Sequence, residues 1–214
     1  MSIDFYMFAG INGAGKSTLY SSTIDSKLKT SKRVNADEIA HNNNWDWHDQ
    51  KSNFKAMRIE VKTIHSYIAD KQSFNMETTL ASSQKSYINI LNEAKKQGFA
   101  THLLYVGLNS PELAKERVKA RVEKGGHGIP DDIIEHRYPK SINNLTKLAP
   151  LFDTVEIHDN SKVFQTVYAR DKNKILIQDK SIKWAQECIK LDTKKVKERL
   201  LKRAQIYKHQ SRER

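Results

Sequence analysis

One cysteine, four prolines and eight glycines among 214 residues set the first limits on this chain. Cys188 has no second thiol to pair with, so an intramolecular disulfide is excluded and a reducing, cytoplasmic setting is expected. So little Gly and Pro excludes collagen-like and Pro/Gly-rich disordered classes. Long hydrophobic runs are missing as well. The apolar stretches at residues 5–9 and 103–106 are far too short to cross a bilayer. The opening residues Met-Ser-Ile-Asp carry neither the basic nor the apolar segment of a secretory leader, so no membrane association is expected. Acid is scarcer than base, 25 residues against 37, for a net charge of +12. Residues 194–214 hold nine basic residues against Glu198 and Glu213, so +7 of that excess sits in the last tenth of the chain. A solvated helix face accounts for such a run. No nucleic-acid-reading motif accompanies it, so nucleic acid is an unfavoured but retained partner.

The few glycines are clustered. Gly10, Gly13 and Gly15 lie in Ala9-Gly10-Ile11-Asn12-Gly13-Ala14-Gly15-Lys16-Ser17-Thr18, directly after the apolar run at residues 5–9 and before a helix-compatible segment. This is G-x-x-x-x-G-K-[ST] in the strand–loop–helix context the P-loop requires. Backbone N–H groups of Gly10, Asn12, Gly13, Ala14 and Gly15 would cradle phosphate oxygens, with Thr18 completing the helix start. Lys16 would reach the β- and γ-phosphates of ATP, and the Ser17 hydroxyl would ligate Mg²⁺. Gly125, Gly126 and Gly128 form a second cluster.

Hydrophobic periodicity predicts strands at residues 5–9, 33–36, 73–76, 101–108 and 154–158, alternating with helices at 16–28, about 51–70, 82–97, 111–124 and 131–148. That alternation implies an α/β, three-layer fold with a mostly parallel central sheet and ligands at the C-terminal strand ends. A hairpin at 163–170 and 174–178 and a long helix at 181–204 follow, with Trp184, Cys188 and Leu191 on one helix face. The organisation expected is residues 1–160 as the main unit, with 161–214 packed as an appendage of the same domain.

Several side chains can act on a phosphate bound there. Asp37 ends the second strand and is placed either to take a proton from a substrate hydroxyl or to cap the helix beginning at Glu38. Glu77 follows the third strand and either orients Mg²⁺ or grips a hydroxyl, or is an exposed loop residue with Thr78 and Thr79 in a turn. The strand at 101–108 ends without an acid, which leaves Asp37 and Glu77 as the acidic candidates near a metal. Arg117 and Arg121 share a helix face before the second glycine cluster, and Arg137 follows it. They are either surface ion-pair partners or lid arginines for a transferring phosphoryl group, with the glycines as hinge. His127 is a turn residue or a substrate contact, since no second ligand lies at metal spacing. Trp45 and Trp47 either fold their insert onto the body or cover a sugar or base.

Taken with Asn35-Ala36-Asp37, Glu77-Thr78-Thr79-Leu80, Arg117-Val118-x-x-Arg121, Gly125-Gly126-His127-x-Ile129-Pro130, Arg137-Tyr138-x-x-Ser141-x-x-Asn144-Leu145 and Asp159-Asn160, the sequence resembles the zeta-toxin-like P-loop kinases, in a short chromosomal branch. The resemblance implies a P-loop kinase-like fold and an ATP-dependent phosphotransferase acting on a hydroxyl of a small molecule. Better-studied relatives phosphorylate a sugar hydroxyl of UDP-N-acetylglucosamine and are held inactive by an antitoxin, so a nucleotide-sugar substrate and an antitoxin protein are implied here. Asp37 then matches the catalytic base, Lys16 and Ser17 the nucleotide and Mg²⁺ residues, and Arg121 and Arg137 the phosphate-contacting arginines. Glu77, Thr78, Arg117 and His127 fall on the substrate side. The chain departs from the plasmid toxins in being shorter and in its GGHxIP segment. The alternative function is a nucleic-acid-associated ATPase or polynucleotide kinase.

Overall fold

The computed structural model describes residues 2–23, 28, 30–46, 49–126 and 128–210, with side chains as far as residue 206. Seven strands form one sheet, with β1 (Asp4–Ala9), β2 (Lys32–Val34), β3 (Phe74–Thr78), β4 (Ala100–Gly107), β5 (Thr154–Asp159), β6 (Gln165–Asp171) and β7 (Lys174–Gln178) in the order β2-β3-β1-β4-β5-β6-β7. The first five are parallel, and β6 and β7 are antiparallel additions. The chain passes to one side of β1 for β2 and β3 and to the other for β4 and β5. β1 therefore borders the point where strand order reverses, where open α/β sheets form their binding crevice. All five parallel strands end at the same edge.

The helices are α1 (Lys16–Ser22), α2 (Ala36–Asn42), α3 (Gln50–Ala69), α4 (Gln84–Lys96), α5 (Pro111–Glu123), α6 (Asp131–Leu148) and α7 (Gln186–Gln210). The period-two alternation of β1 divides the core. Phe5, Met7 and Ala9 face one layer with Ile64 and Ile68 of α3, Leu91 of α4 and Ile189 of α7. Phe8 faces the other, with Leu19 of α1, Val118 of α5 and Ile134 of α6. This is the expected three-layer α/β fold. Among the described residues no helix is long and apolar enough to cross a membrane.

Among the boundaries that differ from the sequence reading, four bear on the site or on the C-terminal segment. β2 stops at Val34, because Asn35 is already the N-cap of α2. β3 runs through Glu77 to Thr78, since Glu77 sits in register with Phe8 of β1. The hairpin starts at Gln165, leaving Val163 74% exposed. The last helix starts at Gln186, and Trp184 lies before it in a 3-10 turn (Lys183–Ala185). The predicted helix at 16–28 is described as α1 as far as Ser22, and residues 24–27 lie outside the described set.

Candidate functional site at the phosphate loop

Gly10 leaves β1 at φ +139°, and a Cβ there would lie 2.1 Å from the Val106 carbonyl oxygen, so no side chain fits. Gly15, at φ +103°, is the N-cap of α1 and offers no side-chain acceptor to the first N–H groups of the helix. Those donors remain available to an anion. Lys16 follows, buried, with Nζ 3.4 Å from the Ile11 carbonyl and 3.7 Å from Glu77 Oε1. Burial lowers its pKa. The Glu77 and Asp37 carboxylates oppose that shift, and the Arg121 cation adds to it. A buried ammonium held between carboxylates at a P-loop is poised for phosphate charge.

Glu77 is the hub of the crevice. Its carboxylate oxygens lie 3.4 Å from Ser17 Oγ, and Arg33 donates from Nη2 to Oε2 at 2.9 Å. Arg33 also donates to Glu38 at 2.6 Å and lies 3.9 Å from the centre of the Tyr20 ring. Ser17 and Glu77 together form a hard-oxygen pair suited to Mg²⁺. Among the described residues no group of three or more His, Cys, Asp and Glu could hold a metal by itself.

The cap of α2 is Asn35, whose Oδ1 accepts from the Asp37 N–H at 2.8 Å. Capping is therefore not the task of the Asp37 side chain. Asp37 instead sits in the first turn, near enough to Lys16, Glu60 and Arg137 to affect each electrostatically. Arg137, from α6, donates to Asn12 Oδ1 at 3.1 Å, so it reaches the phosphate loop from the opposite wall. Burial depresses its guanidinium, with Asp37 the larger opposing influence.

Other sequence candidates have different surroundings. Arg117 donates to the Asn160 backbone carbonyl at 2.7 Å, behind the loop. Thr78 Oγ1 lies 2.8 Å from the Tyr87 hydroxyl and accepts from the Leu80 N–H at 3.1 Å, which commits it to the following turn. That turn, with Leu80 at φ 58°, is clamped from α6 by Ser141 on the Thr79 carbonyl and Asn144 on those of Leu80 and Ser82. Thr18 and Arg121 are exposed. The Gly125-Gly126 segment closes α5 as a helix stop, its N–H groups donating to Val122 and Arg121 carbonyls at 2.8 and 2.9 Å. His127 and Trp47 lie outside the described residues. Trp45 packs under Lys55 of α3, 4.3 Å from its Nζ.

Arg33 and Glu60 escaped the sequence reading as site residues, and Asn160 entered it only within a family motif, with no role. Arg33 fixes Glu77. Asn160 Nδ2 donates to the Ala14 carbonyl at 2.8 Å and so braces the loop. Glu60 of α3 points inward beside Asp37, its Oε1 buried without a hydrogen-bond partner. Burial pushes the Glu60 carboxyl up to about 7. Asp37 and Glu77 push the same way, and a hydrogen bond with the Ala36 backbone opposes them. Its spacing offered a signal: Ala56, Glu60, Ile64 and Ile68 recur every fourth residue along the buried face of α3.

An uncharacterized protein of Haemophilus influenzae is 37% identical over 131 residues, 61% of this chain and 89% of its own. The crystal structure of AvrRxo1-ORF1:-ORF2 with ATP superposes with a TM-score of 0.68 at 12% identity, covering 89% of this chain, which spans only 65% of that one. The structure of the PezAT chromosomal toxin–antitoxin system of Streptococcus pneumoniae gives a TM-score of 0.61 at 16% identity, covering 93% of this chain and 87% of that one. At those identities the structural likeness establishes the fold. The zeta toxin family profile matches residues 4–175, more than three-quarters of the sequence, and the chain belongs to that family.

Proposed function

We propose that this chain is an ATP-dependent phosphotransferase acting on a hydroxyl of a small molecule, a nucleotide sugar such as UDP-N-acetylglucosamine, and that it is the toxin of a toxin–antitoxin pair. The observation that carries the reading is the convergence of Lys16, Asp37, Glu77 and Arg137 on one P-loop. Family membership and the toxin–antitoxin relative support it. In this reading the loop N–H groups and Lys16 hold the ATP phosphates, with Ser17 and Glu77 as the residues that would hold Mg²⁺. A bound Mg²⁺ would neutralise phosphate charge. Asp37 accepts the hydroxyl proton as the new O–P bond forms and the bond to the β,γ-bridging oxygen breaks, releasing ADP. Arg137 and Arg121 stabilise charge on the transferring group.

The test is mass spectrometry of a hydroxylated small-molecule pool containing UDP-N-acetylglucosamine, incubated with MgATP and either wild type or Lys16→Ala. A product 80 Da heavier (one PO₃H added, roughly, by phosphoryl-transfer stoichiometry) that only the wild type makes is expected. Phosphorylation confined to a 5′-hydroxyl oligonucleotide would move the reading to a polynucleotide kinase. An absence of any wild-type product would reject it.

A further inference from the structure

We infer that the sheet edge remote from the phosphate loop, β7 together with a lysine row on α7, docks an acidic extended segment of a partner protein. β7 is the edge strand, and among the described residues no further strand pairs with it. Such an edge offers backbone donors and acceptors that another strand can satisfy. Lys174 and a bulge at Leu176 guard it only in part, since Leu176 is 56% and Ile177 42% exposed.

Beside this edge a groove of about 600 Å³ is lined by Gln178, Lys180, Ile189, Lys190, Lys194 and Lys197, among others, and no carboxylate lines it. Lys190, Lys194 and Lys197 follow i, i+4, i+7 spacing, so they share one helix face, with axial steps of roughly 6 and 4.5 Å. Same-face side chains of a strand advance by about 6.8 Å, a comparable step. An incoming strand with acidic residues at alternate positions can thus engage successive lysines, while the intervening residues cover the one of Leu176 and Ile177 that lies on the other face. No aromatic residue lines the groove, so a base-stacking single-stranded nucleic acid finds no platform there. The edge strand's backbone favours protein over nucleic acid on separate grounds.

The surface is distinct from the kinase crevice. β7 lies four strands from β1, roughly 19 Å at normal strand spacing. A partner held here would leave the phosphate loop open, so the inference stands apart from the proposed catalytic activity.

The experiment is an NMR titration of the ¹⁵N-labelled full chain with a decapeptide of alternating Glu and Val. A Lys/Val decapeptide and a dodecamer of uridylate serve as comparison probes. Shift changes confined to residues 174–178 and 186–197 are expected for the acidic peptide alone, weakening as salt is raised. The double variant Lys190→Glu, Lys194→Glu should lose about tenfold or more in affinity, and its ATP binding, measured in parallel, should match wild type and report intact folding. The inference is overturned if the acidic peptide perturbs no residue of this edge, if the double variant binds it as well as wild type, or if uridylate occupies the groove more tightly than the peptide.

Discussion

The side-chain amide of Asn160 donates a hydrogen bond to the Ala14 carbonyl at 2.8 Å, which ties the end of β5 to the middle of the phosphate loop. Arg117 holds the Asn160 carbonyl at 2.7 Å. Its neighbour Asp159 accepts from Trp184 Nε1 at 2.8 Å and from the Ser161 hydroxyl at 2.6 Å. The Trp184 ring fills the space a Cβ on Gly107 would need, 2.1 Å from Cη2. The loop is thereby braced from the C-terminal part of the chain. Asn160→Ala should cost about 1 kcal/mol of stability and several-fold in MgADP affinity, measured by thermal melting and calorimetry. Asn160→Asp should not restore affinity, because a carboxylate sets an acceptor against the Ala14 carbonyl. Unchanged MgADP affinity in Asn160→Ala would remove the bracing role.

Asp37→Asn separates proton transfer from nucleotide binding. The amide keeps the shape and cannot take the hydroxyl proton, so turnover should fall by about 10²–10⁴-fold while MgATP affinity stays within a few-fold of wild type. Lys16→Ala should lose both. Single-turnover phosphoryl transfer and calorimetry read the two quantities separately. Asp37→Asn turnover within a few-fold of wild type would assign the base to another group.

Arg33 acts through Glu77. It donates to that carboxylate at 2.9 Å, and both side chains are mostly buried, at 17% and 12% exposure. Arg33→Ala leaves Glu77 with Lys16, 3.7 Å away, as its remaining cationic partner among the described residues. The expected result is a loss of about 1–3 kcal/mol of stability and a shifted Mg²⁺ dependence of any phosphotransfer. Arg33→Lys should recover part of the stability and less of the Mg²⁺ response, since an ammonium cannot bridge Glu38 and Glu77 as the guanidinium fork does. Chemical denaturation and a Mg²⁺ titration of the rate check both.

The legible features were those whose chemistry is local. The phosphate loop announces itself because glycines, a lysine and a hydroxyl must follow one another, and the alternation of β1 divides the core as the sequence implies. Glu77 was harder. Asn75 and Glu77 make β3 look too polar for a strand interior, yet Asn75 is buried and donates to Ser31 at 2.7 Å, a contact across 44 positions. Trp184 fits a helical spacing with Cys188 and Leu191. Packing against Gly107 and Asp159 nevertheless holds it in a 3-10 turn before the helix. Arg170 keeps the alternation of β6, two residues from Tyr168 and on the same face, but its burial rests on Asp192, 22 positions away, which no short-range pattern reveals.

That arginine shows how firmly the C-terminal segment is built in. Arg170 and Asp192 are fully buried and meet at 2.6 Å, and Tyr168 donates to the same Asp192 oxygen. Arg170 also donates to the carbonyls of Asp153, Lys172, Ala149 and Phe152. Asp192→Ala strands a buried guanidinium and should cost about 3–5 kcal/mol, and truncation before α7 should abolish cooperative unfolding. Asp192→Asn keeps an acceptor and should cost less than Asp192→Ala. Equal stability of Asp192→Ala and wild type in urea would show that the Arg170–Asp192 pair contributes nothing to holding α7 in place.

Glu60 makes stability depend on pH with an unusual sign. Its carboxyl titrates at about 7 in the folded chain against an ordinary value of 4.5. Between those values the folded state binds a proton that the unfolded chain releases. Its contribution is therefore neutral below about pH 4.5, becomes destabilising as pH rises towards 7, and is constant above that. The full penalty is on the order of 3 kcal/mol. Glu60→Gln keeps the carbonyl acceptor facing Ala36 and removes the charge beside Asp37 and Glu77. The variant should be more stable than wild type at pH 8, with the gap closing as pH falls towards 4.5. Urea denaturation of both proteins at a series of pH values measures it. A stability difference that stays constant across that range would mean that Glu60 is ionised throughout, and that the crevice tolerates three carboxylates at once.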